Sequence, residues 1–394
     1  MKNDITSCYF ILTENCNLRC VYCFEKNTRA VHQYMNEETA FKMIDFLFDN
    51  AIKANEKRVN ITFFGGEPML CTDLMISMLR YGVDKERKTG IKAKFSIITN
   101  GTIYNDKVEE FLKEWCLLTN NDIDIQLSID GTPEIQNANR PCANNCLNSA
   151  DLAEEAIVKF KDFYKRYNIP SSRLHIHAVI SKTSLPKIYE CHQYFTHKLN
   201  VYYKFAWVIE EDWDDNDVII LDQQLEKICA SLLKSGVQNK DVFPFKRFDN
   251  CSGCSSGRRL ISMDTEGNIY PCHRFFFYDD TKRSDMLFGN IYNEEPIDAN
   301  VRQQFLDIDE SKMCDNPCQV CVAVNYEFCN DMYKRPNDFD EKMMVVINKH
   351  YFNFINILEK KNTSRVIEQL IKKVDFLGNR VMQLEMQVAK LINK

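Results

Sequence analysis

The chain has 394 residues, 45% hydrophobic and 27% charged, which is enough apolar material for a sizeable core and excludes wholesale disorder. Its formal net charge of −6 excludes nucleic-acid binding through a globally basic surface, and its apolar runs (CYFIL, FAWVI) are too short to cross a bilayer. The N-terminus runs straight into a strand-like segment without a signal-peptide pattern, so a cytoplasmic protein is expected, neither nucleic-acid-bound nor membrane-bound.

In chain order, strands are expected at 8–12, 59–64, 94–99, 123–129, 174–180 and 203–209, with helices at 36–54, 72–88, 105–117, 149–167, 186–198 and 222–235. Asn36 ahead of Glu38 and Thr39 is a plausible cap for the first helix. Strand–helix alternation predicts an α/β fold with a parallel sheet; six units suggest an open, partial (β/α)6 barrel over residues 1–235. Functional residues then belong at the C-terminal ends of its strands. From 236 to 349 periodic segments give way to cysteines and turn signals, which suggests a small Cys-rich domain organised around metal. From 350 to 394 Ile367, Val374, Val381 and Val388 alternate with Leu370, Leu377, Leu384 and Leu391 at heptad spacing. β-Branched a and Leu d positions favour a parallel two-stranded coiled coil, hence a homodimer; the alternative is a helix packed on its own domain.

The 17 cysteines are the unusual feature. In a reducing compartment, clustered cysteines point to metal or redox chemistry rather than disulfides. Cys8, Cys71, Cys116, Cys142, Cys146, Cys191 and Cys229 are scattered, and most of these read as core filler. Cys16, Cys20 and Cys23 fall in one loop directly after the first strand, in ENCNLRCVYCFE. Three thiolates on a 4Fe–4S cube leave one iron open. A closed structural zinc site takes four ligands, and the nearest further candidate, His32, lies nine residues past Cys23.

CxxxCxxC with an aromatic before its last Cys resembles the signature of the radical S-adenosylmethionine (SAM) superfamily. The resemblance extends through FFGGEP (Gly65, Gly66, Glu67, Pro68) after strand two, TNG at Thr99–Gly101, LSIDG with Ser128 and Asp130 at the end of strand four, and Arg140 in NANRP. It implies that the open iron chelates the amino and carboxylate groups of SAM and that reductive cleavage yields a 5′-deoxyadenosyl radical that abstracts a substrate hydrogen. It further implies that the GGEP segment binds the SAM amino group, that Ser128 and Arg140 contact SAM, that Asp130 belongs to the same strand end, and that Tyr22 lines the adenine side. An arginine fork suits a carboxylate.

Residues 251–329 resemble a SPASM domain, which carries one or two auxiliary 4Fe–4S clusters. Cys251, Cys254 and Cys272 (GNIYPC) form the first group, and Cys314, Cys318, Cys321 and Cys329 the second. Seven thiolates rather than eight leave either one open auxiliary iron or a single auxiliary cluster; a zinc ribbon is the plainer alternative. Enzymes of this group mostly modify peptides and proteins. The first expectation is a maturase of ribosomally made peptides that forms thioether or other crosslinks, fed by a low-potential donor such as flavodoxin or ferredoxin. The second is a sulfatase-maturase-like oxidase that makes formylglycine, although those enzymes place an Asp where this chain has His273, a weak candidate for base. A third, of another class, is an Fe–S electron carrier or a zinc-stabilised dimeric adaptor. Because the sequence opens on a strand, the precursor is expected to be held by the SPASM face, the coiled coil or a separate protein.

Overall fold

The computed structural model describes residues 4–23, 33–143, 148–237, 239–245, 254–276, 280–308, 321–334, 341–362 and 373. Cys251, Cys314, Cys318 and Cys146, and the heptads at 363–394 apart from residue 373, lie outside these.

Strands β1 (Ser7–Ile11), β2 (Arg58–Phe64), β3 (Lys92–Thr99), β4 (Ile125–Leu127), β5 (Leu174–Ile180) and β6 (Tyr202–Trp207) pair in parallel with their neighbours. Helices α1 (Glu37–Lys53), α2 (Thr72–Thr89), α3 (Asp106–Thr119), α4 (Pro133–Asn139), α5 (Ser149–Arg166), α6 (Ile188–Gln193) and α7 (Asp215–Lys234) connect or follow them. The six-stranded expectation needs one addition. β7 (Leu260–Met263) pairs in parallel with the free edge of β1, and β8 (Asn268–Tyr270) and β9 (Gly289–Asn290) continue antiparallel, so one sheet runs β6-β5-β4-β3-β2-β1-β7-β8-β9. The sheet therefore does not stop at 235; the Cys-rich region grows out of its edge.

Period-2 alternation sets the two faces. Val59, Ile61 and Phe63, Phe95 and Ile97, and Ile176 and Ala178 are buried, and the large buried residues Trp115 and Phe111 of α3 meet Phe63 edge-on. Burying such side chains contributes about 1.5–3 kcal/mol each. The opposite face is half-buried and polar: Asn60 donates to Ser7 Oγ (2.9 Å), and the Thr62 and Ser96 hydroxyls pair at 3.0 Å. That wall is the hollow of the open barrel.

Local signals account for most helix ends. Asn36 accepts from Thr39 N, as expected from the sequence. α7 begins seven residues before the expected 222, because Asp214 and Asp217 close a capping box. The helix expected at 186–198 ends as a π-helical turn over Tyr194–Leu199. A further helix over 341–362 runs parallel to α7: Lys342 pairs with Asp215 (2.7 Å), and Lys349 and His350 pair with Asp222 (2.8 and 2.7 Å). Its Tyr351 and Phe354 rings pack on Phe243. No helix among the described residues is long and apolar enough to cross a membrane.

Candidate active site

The loop after β1 is clamped from two sides. On one side Gly66 N donates to Thr13 O and Glu67 N to Asn15 O, both at 2.8 Å. This approach requires glycine: Gly65 has φ +125°, and a Cβ on Gly66 would lie 2.3 Å from Asn15 O. The fully buried Glu67 carboxylate accepts from Thr99 Oγ1 (2.6 Å), Asn100 N (2.8 Å) and Met69 N (2.9 Å). Burial raises its pKa against those three donors. Its oxygens are thus engaged in tying the end of β2 to the end of β3.

On the other side, residues 139–143 pair antiparallel with the loop: Val21 N donates to Asn139 O (2.9 Å), Arg19 N to Pro141 O (2.7 Å) and Ala143 N to Asn17 O (2.9 Å). Cys142, grouped with the packing cysteines on sequence, is disulfide-bonded. Between the two clamps sit Cys16, Cys20 and Cys23, all half-buried. Donors face their sulfurs: Leu18 N (3.4 Å) and Asn100 Nδ2 (3.8 Å) at Cys16, and Arg140 Nη1 (4.0 Å) at Cys20. Asn100 also holds Asn17 Oδ1 at 2.7 Å. Among the described residues no group of three or more His, Cys, Asp or Glu is arranged to hold a single metal ion. A cubane, whose irons are each held by a separate thiolate, makes no such demand.

The third wall is an ionic knot at the end of β4. Asp130, its side chain fully buried, accepts from Arg140 Nη2 (2.9 Å), Asn139 Nδ2 (3.2 Å), Val179 N (3.0 Å) and the Tyr22 hydroxyl. The guanidinium lies 5.4 Å from the Tyr22 ring centre, and burial foremost pushes the Tyr22 phenol up. Arg140 Nε is buried with no hydrogen-bond partner, a donor left over for something outside the protein. Ser128, half-buried, is fixed by its N–H on Thr99 O (2.8 Å). The structure therefore brings Tyr22, Asp130, Arg140 and the three-Cys loop together, with Gly65, Gly66 and Glu67 behind the loop. Asn100, which the sequence reading missed, joins the two halves; its signal was its place in the TNG strand ending.

In the Cys-rich region the β7–β8 hairpin delivers Cys272, and the helix Val322–Cys329 starts just after Cys321. Cys254, Cys272 and Cys321 come together. Burial first, then the charge of Cys321, pushes the Cys254 thiol up to about 11 and the Cys272 thiol to about 12. Cys329 stands half-buried at the far end of that helix. His273, in the short helix α8 (His273–Phe276), packs 4.8 Å from both the Tyr9 and Phe64 rings, so it abuts the barrel wall. Burial, then Arg274, drives its pKa down to about 4 and keeps the ring neutral. Arg274 reaches Glu210 beyond β6 and Glu327 of the Val322–Cys329 helix (3.4 Å), which joins the barrel mouth to the second Cys group.

The radical SAM superfamily model matches residues 10–164. The chain carries a radical SAM domain. Relatives include an uncharacterized protein, MJ0907, of Methanocaldococcus jannaschii (33% identical; 46% of this chain, 56% of the relative). The radical SAM cyclopropyl synthase TigE of Paramaledivibacter caminithermalis is 27% identical over 42% of this chain and 40% of its own length. The cysteine-type anaerobic sulfatase-maturating enzyme of Clostridium perfringens is 22% identical over 88% of this chain and 93% of its own. The chain thus spans about half the length of the first two relatives. The structure of native anSMEcpe with bound AdoMet and Kp18Cys peptide superposes with a TM-score of 0.67, covering 90% of this chain and 99% of that one at 19% identity, which shows a shared fold.

Proposed function

We propose that this protein is a radical SAM enzyme that modifies a ribosomally made peptide or protein, by thioether or other crosslink formation. The observation that carries the reading is the clamped loop in which Cys16, Cys20 and Cys23 stand beside the Tyr22–Asp130–Arg140 knot at the C-terminal ends of the strands. The donor set fits the group: three thiols in one loop, with N–H donors and one guanidinium directed at two of the sulfurs, stabilise a thiolate-bound cluster. In this reading Cys16, Cys20 and Cys23 hold a 4Fe–4S cluster. The unpartnered Arg140 Nε, Ser128 and the Gly65–Gly66 backbone border SAM, with Tyr22 at its adenine side. Bound together, reduced cluster and SAM supply hydrogen-atom abstraction. The chain's own residues orient SAM, and the barrel wall and α8 exclude water.

In this reading residues 1–235 are the SAM-cleaving unit, 236–349 the auxiliary-cluster unit and 350–394 the terminal unit, with the described helix over 341–362 crossing that last boundary. Cys254, Cys272 and Cys321, gathered as described, with Cys251, Cys314, Cys318 and Cys329, are the proposed auxiliary ligands. A peptide or protein substrate is supported by the near-full-length similarity to a sulfatase-maturating enzyme and by the peptide-bound structure of the same fold. That similarity also supports formylglycine formation as the second reading; the packing of His273 between the Tyr9 and Phe64 rings, with burial lowering its basicity, weighs against a strong base at that position. A low-potential donor such as flavodoxin or ferredoxin, acting in the cytoplasm, supplies the electron.

Replacing Cys16, Cys20 and Cys23 together with Ala is expected to abolish dithionite-driven release of 5′-deoxyadenosine while auxiliary iron stays bound. Cleavage that survives in that variant refutes the assignment. The heptads support a homodimer, so removing 363–394 is expected to halve the mass measured by light scattering; an unchanged mass rules the coiled coil out.

A further inference from the structure

At the opposite end of the sheet from the three-Cys loop lies a cavity of about 670 Å³. It opens where β5 and β6 begin, enclosed by the last turns of α5 and α7 and by the π-helical turn. Leu174 at its floor and Val179, whose N–H holds Asp130, are five residues apart on β5, or about 17 Å at a strand's rise per residue. The cavity is therefore no part of the candidate active site. In barrels of parallel strands this end ordinarily serves stability, and interiors are otherwise close-packed.

Three features give the hollow a chemical character. Its floor is apolar, formed by Ile169, Leu174, Val201, Leu232 and Val242. Its hydroxyls are mostly engaged within the protein: Thr196 on His192 O (2.7 Å), Ser235 on Leu232 O (2.9 Å), and Ser231 and Tyr203 on the two ring nitrogens of buried His192 (3.0 and 2.6 Å). Its charged lining is of one sign: Lys161, anchored on Leu199 O at 2.8 Å, and Lys165 line it, with His197 at the π turn and no Asp or Glu among the described lining residues. The π turn supplies a second, independent pointer, since such insertions recur at functional sites. A pocket of 300–1,000 Å³ with an apolar wall and few polar groups is the usual form of a small-molecule site.

We propose that this cavity is a binding site for a small amphipathic carboxylate, its apolar body against Leu174 and Leu232 and its anionic head at Lys161 and Lys165.

The test uses full-length, anaerobically reconstituted protein and octanoate as probe, followed by isothermal titration calorimetry. One saturable site per chain is expected, with the octanoate displaced by 8-anilinonaphthalene-1-sulfonate. Lys165→Glu reverses a charge on an exposed position and is expected to weaken binding roughly tenfold, as the loss of a charge-assisted contact would. Ser235→Trp, also exposed, is expected to obstruct the mouth and abolish binding. Both variants are expected to keep the parent melting temperature and SAM cleavage, which separates loss of the site from loss of the fold. Absence of a saturable site, or octanoate binding that neither variant weakens, overturns the proposal.

Discussion

Gly66→Ala is expected to empty the three-Cys loop of iron, with about four fewer irons per chain after reconstitution and no SAM cleavage. The added Cβ would stand 2.3 Å from Asn15 O, 2.6 Å from Asn15 C and 2.8 Å from Glu14 O. All three are backbone atoms, so no side-chain rotation relieves the clash. The loop must move, and its first casualty is the 2.8 Å bond from Glu67 N to Asn15 O, one residue before Cys16. Leaving that buried pair unmade costs about 1–3 kcal/mol in itself. The displacement reaches the thiol directly. Gly90→Ala is the control: its φ of +71° disfavours alanine by about 1–2 kcal/mol, but nothing lies within 4 Å of the added carbon. That variant is expected to lose some stability and keep its iron. Iron and sulfide counts on both proteins, with 5′-deoxyadenosine release, decide the matter. A Gly66→Ala protein with full iron and parent cleavage rates would show that the glycine approach does not set the loop.

How far the sequence carried the reading depends on how local each signal was. The three-Cys spacing, the period-2 strands and the Asn36 cap are written within a few consecutive residues, and they are where the sequence places them. The close backbone approach at Gly65–Gly66 was legible from residue type, but its partner, the 13–15 backbone, was not. β7 was missed because four residues between a turn and a hairpin carry no period, and its pairing with β1 joins segments some 250 residues apart. The early start of α7 was hidden in an acidic run that reads as a turn until Asp214 and Asp217 are seen to cap one another. Glu67 is the instructive case. As part of GGEP it reads as a ligand contact, yet its three donors come from the ends of β2 and β3. A carboxylate's burial and partners are set by the fold, and only the fold shows them.

Arg140→Met is expected to lower both stability and the reduction potential of the three-Cys cluster, and the pairing of these two effects identifies what Arg140 does. The stability loss follows from Asp130. Removing one member of a buried ion pair costs about 3–5 kcal/mol when the other charge is stranded. Here Tyr22, Asn139 and Val179 still donate to Asp130, so the lower end of that range is expected in urea unfolding. A residue that only clamped Asp130 would do no more than this. The second effect follows from Nη1, 4.0 Å from Cys20 Sγ. A cation beside a thiolate ligand favours the more negative, reduced state of a cluster, so removing it drives the potential down. Arg140→Lys separates the two roles further. It keeps a positive charge but not the planar fork, so it is expected to recover much of the stability while SAM binding, which in the proposed reading draws on the unpartnered Nε, stays weakened. Potentiometric titration monitored by electron paramagnetic resonance, with equilibrium dialysis of SAM, measures both. If Arg140→Met loses stability but leaves the potential and SAM affinity at parent values, Arg140 is a clamp for Asp130, and SAM must be held by Ser128 and the glycine backbone alone.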